Sequence, residues 1–159
     1  DPTEYLNVPN QFMKDCVRRI LEEQGIPVWF GADCHPMMDR ENGAWATDLF
    51  EYGRVYDVDF DLDKEARVRY ADSAMNHAMA FVGVDVADDG HTTRRWRVEN
   101  SWGDKIADKG YFTMSDDWFT EYVYEVAVPK ALLPDEYLKA LEEPAQMLPA
   151  WDPMGALAQ

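Results

Sequence analysis

The chain has 159 residues, is 47% hydrophobic, and sets 15 basic against 31 acidic side chains for a formal charge of −16. That length suits one ordinary domain with a core of its own, and six Trp, eight Tyr and seven Phe exclude wholesale disorder. The acidic balance disfavours a nucleic-acid partner, since phosphate binding needs a basic face; its plain reading is solubility.

The longest apolar stretch, residues 78–84, is far too short to cross a bilayer, so no membrane partner is expected. Asp1-Pro2-Thr3-Glu4 offers neither the basic start nor the apolar core of a signal peptide, and the missing initiator Met fits a fragment or processed product. Two cysteines, Cys16 and Cys34, make no secreted disulfide framework, and a cytoplasmic location is expected.

In chain order, Asn10 is expected to cap a helix over residues 10–24. Its apolar face repeats every four residues through Phe12, Cys16 and Ile20 and through Met13, Val17 and Leu21, and Gly25 ends it. Residues 27–30 read as a short buried strand. Residues 31–63, rich in Asp, Gly and Met without a sustained period, read as a long irregular excursion. Strands follow at 77–86 and 94–100, joined by the turn residues Asp88-Asp89-Gly90-His91, and then at 110–114. Ser115 caps a short helix holding Trp118 and Phe119, with Asp116 and Asp117 at its positive end. A strand over 122–128 stops at Pro129, an amphipathic helix covers 134–142, and residues 144–159 suggest an extended tail.

Two residues carry chemistry when taken together. His77 alone on an apolar strand reads as a core histidine, and Asn100-Ser101 alone reads as a turn. In this order, on neighbouring strands and with Trp102 alongside, they match the base and orienter of a Cys-His-Asn site. There the imidazole takes a thiol proton, and the amide oxygen fixes the ring's tautomer.

These residues resemble the papain superfamily, which pairs a His-Ala step with Asn-Ser-Trp-Gly and a later Gly-Tyr; here they are His77-Ala78, Asn100-Ser101-Trp102-Gly103 and Gly110-Tyr111. Within it the chain is similar to the aminopeptidase C and bleomycin hydrolase family. That narrower likeness rests on Leu6-Asn7-Val8-Pro9, Pro27-Val28-Trp29-Phe30-Gly31, Val98-Glu99-Asn100-Ser101-Trp102-Gly103, Lys109-Gly110-Tyr111-Phe112-Thr113-Met114 and Trp151-Asp152-Pro153-Met154-Gly155-Ala156-Leu157-Ala158.

The resemblance implies an α+β fold, the barrel-like antiparallel-sheet half of a papain-like peptidase with peripheral helices. Residues 1–143 would be the carboxy-terminal part of the peptidase domain, and 144–159 an arm entering the cleft. It implies His77 as base and later acid, Asn100 as orienter, and Trp102 as a cover keeping water from their hydrogen bond. Peptides would be the substrates and no cofactor would be needed. The arm would be anchored by Trp151 and Met154 and would hold the substrate's amino terminus through its terminal carboxylate, at Ala158 or Gln159; relatives commonly stop near the former. The implied assembly is a homohexamer.

The family's nucleophile opens a helix inside a Gly-rich, Trp-flanked motif. Cys34 has no such setting and Pro36 follows it, so the nucleophile is expected in the remainder of the polypeptide, outside this sequence, and the 159 residues alone are expected to be inactive. Asp33, Cys34 and His35 are too closely spaced to form a metal site, His91 reads as a solvated turn residue, and the Asp57–Asp63 alternation lacks the glycine and glutamate of a calcium loop. The rival expectation is a non-catalytic papain-like module for binding or assembly.

Overall fold

The computed structural model describes residues 4–60, 62–149 and 151–152. Helix α1 (Asn10–Arg19) turns Met13, Cys16, Val17 and, one turn on, Ile20 into the core, which is the apolar stripe its spacing dictates. It then widens into a π-helical turn at Ile20–Gln24, and Gly25 closes it in the left-handed conformation at φ 65°. Asn10 does not cap it. Pro9 occupies that position, and the Asn10 amide instead donates to Thr120 O at 3.1 Å and accepts from Lys64 Nζ at 3.1 Å, a tertiary use that displaces the local one.

A curled seven-stranded sheet packs against this helix. Its strands are β1 (Val28–Ala32), β2 (Met38–Asp39), β3 (Ala44–Trp45), β4 (His77–Val86), β5 (Thr93–Glu99), β6 (Tyr111–Ser115) and β7 (Val123–Val126), in the order β2-β3-β6-β5-β4-β1-β7. All neighbours are antiparallel except β3 and β6. Register shifts in β4–β5 and between β1 and β7 mark bulges, which bend a sheet and help it curl. The α+β half-barrel expected from the sequence is therefore the observed fold.

The excursion over residues 31–63 is less irregular than expected. It holds the β2–β3 hairpin and helix α2 (Tyr52–Tyr56), and helix α3 (Lys64–Arg69) follows it. Asp63 caps α3 by accepting from Ala66 N at 2.7 Å, so part of the acidic alternation is helix-start chemistry. Helix α4 (Asp116–Tyr122) begins at Ser115, whose hydroxyl accepts from Trp118 N at 3.2 Å. Helix α5 (Asp135–Ala140) is shorter than expected and sets Tyr137 against Phe12, ring centres 4.4 Å apart.

Aromatic rings fill the interior. Phe81 stacks on Phe30 at 3.8 Å and on Phe119 at 5.3 Å, and Trp96 closes on both Phe81 and Phe119. Burying each such ring contributes about 1.5–3 kcal/mol. Each buried indole N–H has an acceptor: Trp45 donates to Cys34 O, Trp118 to Pro36 O and Trp96 to Asp116 Oδ1. Asp116 also accepts from Lys14 Nζ and Thr93 Oγ1, both at 2.5 Å, and so ties α1, β5 and α4 together.

Candidate active site

The sheet delivers His77 and Asn100 to the same place. His77 is the first residue of β4, opposite Ala32 of β1, and its approach is pinned by Asn76. Asn76 N donates to Ala32 O at 3.1 Å, its side-chain oxygen accepts from Cys34 N at 3.1 Å, and its amide donates to Asp33 Oδ1 at 2.6 Å. Asp33 is in turn bonded by Ser73 Oγ at 2.8 Å, which meets Tyr124 Oη at 2.6 Å. Four side chains thus fix the backbone from which His77 projects.

Asn100 follows the last residue of β5. Its N–H donates to Gly110 O at 3.1 Å, and its side-chain oxygen accepts from Ser101 N at 2.7 Å. Gly110, at φ 89°, makes this return possible, since a Cβ there would lie 3.1 Å from Gly103 O. The same Asn100 oxygen meets His77 Nε2 at 2.8 Å. Because an amide oxygen only accepts, Nε2 must carry the proton, which leaves the Nδ1 lone pair free. Nδ1 has no hydrogen bond among the described residues.

Trp102 stacks on the imidazole with centres 5.2 Å apart and planes 20° from parallel. Phe112 holds it edge-on from the core at 5.7 Å, and the Arg40 guanidinium lies 5.1 Å from its ring centre. Asn100 is 9% exposed, so its bond to His77 is shielded from water and correspondingly stronger. The three residues singled out in the sequence therefore form one contiguous unit.

Cys34 has the properties opposite to a nucleophile's. It is buried, and burial, with Asp33 adding to it, pushes its thiol up to about 11. The Cys16 thiol is likewise raised, chiefly by burial. Among the described residues no group of three or more His, Cys, Asp or Glu is placed to hold a metal ion, and no helix is long and apolar enough to cross a membrane. His91 lies in an exposed turn whose backbone N–H groups cap on Asp89. Ala158 and Gln159, like Met154, lie outside the described residues; Trp151, expected to anchor the tail, is 82% exposed.

The contacts of Asn76, Asp33 and Arg40 were not foreseen. Only Asn76 carried a signal, its place immediately before His77. Arg40 lies in a segment with no period to read.

Comparison with known proteins agrees with this architecture. The Peptidase C1-like family model matches residues 1–155. Aminopeptidase C of Lactobacillus delbrueckii subsp. lactis is 44% identical over 97% of this chain and 34% of its own length. Human bleomycin hydrolase is 42% identical over 99% of this chain and 35% of its own. The crystal structure of PepW from Lactobacillus rhamnosis HN001 superposes with a TM-score of 0.84 at 38% identity, covering 91% of this chain and 32% of that one. The chain spans about a third of the length of the curated relatives it matches.

Proposed function

The chain belongs to the Peptidase C1-like family, and from that premise we propose that it is the base-bearing part of a cysteine aminopeptidase. The observation that carries this reading is the 2.8 Å contact of His77 Nε2 with Asn100 Oδ1, which orients the ring and leaves Nδ1 as a free base. A thiol placed at Nδ1 would lose its proton to the ring, giving a thiolate–imidazolium pair. The thiolate attacks the scissile carbonyl, His77 returns the proton to the leaving amine, and water then resolves the acyl-enzyme with His77 as base. Asn100 stabilises the imidazolium at each proton transfer, and Trp102 excludes water from their bond.

The nucleophile in this reading comes from polypeptide outside these 159 residues, because Cys16 and Cys34 are both buried with raised thiols. Peptides with a free amino terminus are the proposed substrates, on the names of the relatives. A cytoplasmic homohexamer, with residues 144–159 as a cleft-blocking arm, completes the proposal on family likeness. The test uses the intact protein and an aminoacyl fluorogenic amide. Turnover that is abolished both by a thiol-blocking reagent and by His77→Ala is expected, and the 159-residue chain alone should be inactive. Undiminished turnover by His77→Ala would overturn the assignment, and an intact protein that binds peptides without cleaving them would establish the non-catalytic alternative.

A further inference from the structure

Arg40 stands in the turn of the β2–β3 hairpin, exposed, with its guanidinium 5.1 Å from the Trp102 ring centre. Trp102 is itself 5.2 Å from the His77 ring, so the guanidinium is no more than roughly 10 Å from the imidazole. Among the described residues Arg40 has no ion pair and no hydrogen bond, so all five of its N–H donors are free for a ligand. The nearest acid before it in sequence, Asp39, is engaged by Asn42 through two bonds of 3.0 and 2.7 Å. Arg40 borders a depression of about 300 Å³ shared with Glu41, Lys105, Ile106 and Ala107. Two cations against the single carboxylate of Glu41 leave this hollow net positive on a chain with a net charge of −16.

Given the peptidase reading above, on which this inference rests, the position has a chemical meaning. An imidazolium that protonates the leaving nitrogen must lie beside it, so the departing segment runs past His77 and the groups flanking it. At 3.3–3.6 Å per residue, one to three departing residues span the distance to Arg40. We propose that Arg40, with Lys105 in support, recognises a carboxylate on the leaving side of the substrate, namely the free carboxyl terminus of a short peptide. A planar guanidinium fits a carboxylate through two parallel hydrogen bonds, and its place over the Trp102 ring favours the position from which it would make that contact. The site would favour di- to tetrapeptides over long chains, whose carboxyl ends lie elsewhere.

The experiment compares three tripeptide substrates in the intact protein: the free acid, its carboxyl-terminal amide, and an amide with Asp as its last residue. The expected result is a preference in kcat/KM of about 5-fold for acid over amide at low salt, weakening as ionic strength rises, as suits an exposed charge pair. Arg40→Gln should bring the ratio close to 1, Arg40→Lys should keep part of it, and Lys105→Gln should lower it less than Arg40→Gln does. Any general loss of activity cancels in the ratio. A parent ratio near 1, or a ratio unchanged in Arg40→Gln, overturns the proposal. A preference for the Asp amide alone overturns the assignment to the chain terminus in favour of an acidic side chain. If the parent cleaves none of the three, the peptidase reading fails, and acid-over-amide binding measured by calorimetry then decides Arg40 by the same ratios.

Discussion

In the proposed mechanism, replacing Asn100 by Ala removes the orienter and leaves the base. The bond lost is 2.8 Å long and lies where Asn100 is only 9% exposed. When the imidazole is protonated this is a hydrogen bond to a charged donor, a class contributing about 1.5–3 kcal/mol. At about 1.4 kcal/mol per factor of ten, kcat/KM should fall roughly 10- to 150-fold. It should not vanish, because Trp102 still stacks on the ring and β4 still fixes its backbone, so the productive orientation is sampled part of the time. Folding should be little disturbed. The Asn100 amide nitrogen is buried without a partner, and its removal relieves that cost while the Ser101 N–H, on an exposed residue, turns to water.

The assay is steady-state hydrolysis of an aminoacyl arylamide by the intact protein, with a thermal melt as control. A variant within twofold of the parent would refute the orienting role. So would a folded variant as inactive as His77→Ala, since the amide would then be doing more than holding the ring.

Three further outcomes follow from the same contacts. Lys64, which donates to Asn10 Oδ1, Thr120 O and Val123 O, is pushed down to about 8 by burial. An unfolded lysine holds its proton more tightly than this one, so Lys64 adds stability to the folded state as pH rises from about 8 toward the ordinary lysine value of 10.5. Between pH 8 and 9 Lys64 should contribute a gain of about 1 kcal/mol, offset in the whole protein by the buried Cys16 and Cys34 thiols, whose unfolded counterparts begin to ionise in the same window; urea unfolding of the intact protein against Lys64→Met cancels that offset, a parent-minus-variant difference that is flat with pH being the contrary result. Gly43→Ala should destabilise by about 2–4 kcal/mol, because φ is 73° and the new Cβ would lie 2.4 Å from Ala107 Cβ; a denaturation midpoint equal to the parent's would contradict this. Deleting residues 155–159 from the intact protein should weaken aminopeptidase turnover and admit amino-acetylated peptides, and a truncated enzyme that still demands a free amino terminus would show that the tail does not set specificity.

The sheet and its longest helix were legible because their patterns are long. Ten residues of β4 and the four-residue repeats of α1 give burial enough chances to write a period. Strands of two residues, as in β2 and β3, write none, and α3 buries no whole residue; it is docked by polar contacts of Lys64 and by Arg67, which pairs with Glu121. Asn10 misled for a related reason. A cap residue is recognised by a local bond it is able to make, and here the partners that claim its amide, Thr120 and Lys64, are 110 and 54 residues away.

The candidate site divides along the same line. His77, Asn100 and Trp102 were readable because they lie in or beside strands whose register brings them together, so spacing along the chain stands in for distance in space. Asn76, Asp33, Ser73 and Tyr124 were not, since their bonds cross between segments about 40 to 50 residues apart. Yet these bonds give the motif its rigidity. β4 starts at His77, where regular pairing with Ala32 begins, and before that point Asn76, through Ala32 O and Cys34 N, and Ser73, through Asp33, tie the incoming chain to the end of β1 and the residues that follow it. Side-chain hydrogen bonds thus extend the sheet's order past its last paired residue. A base held to a single ring orientation needs that extension, because a slack backbone at residue 76 would forfeit what Asn100 and Trp102 supply.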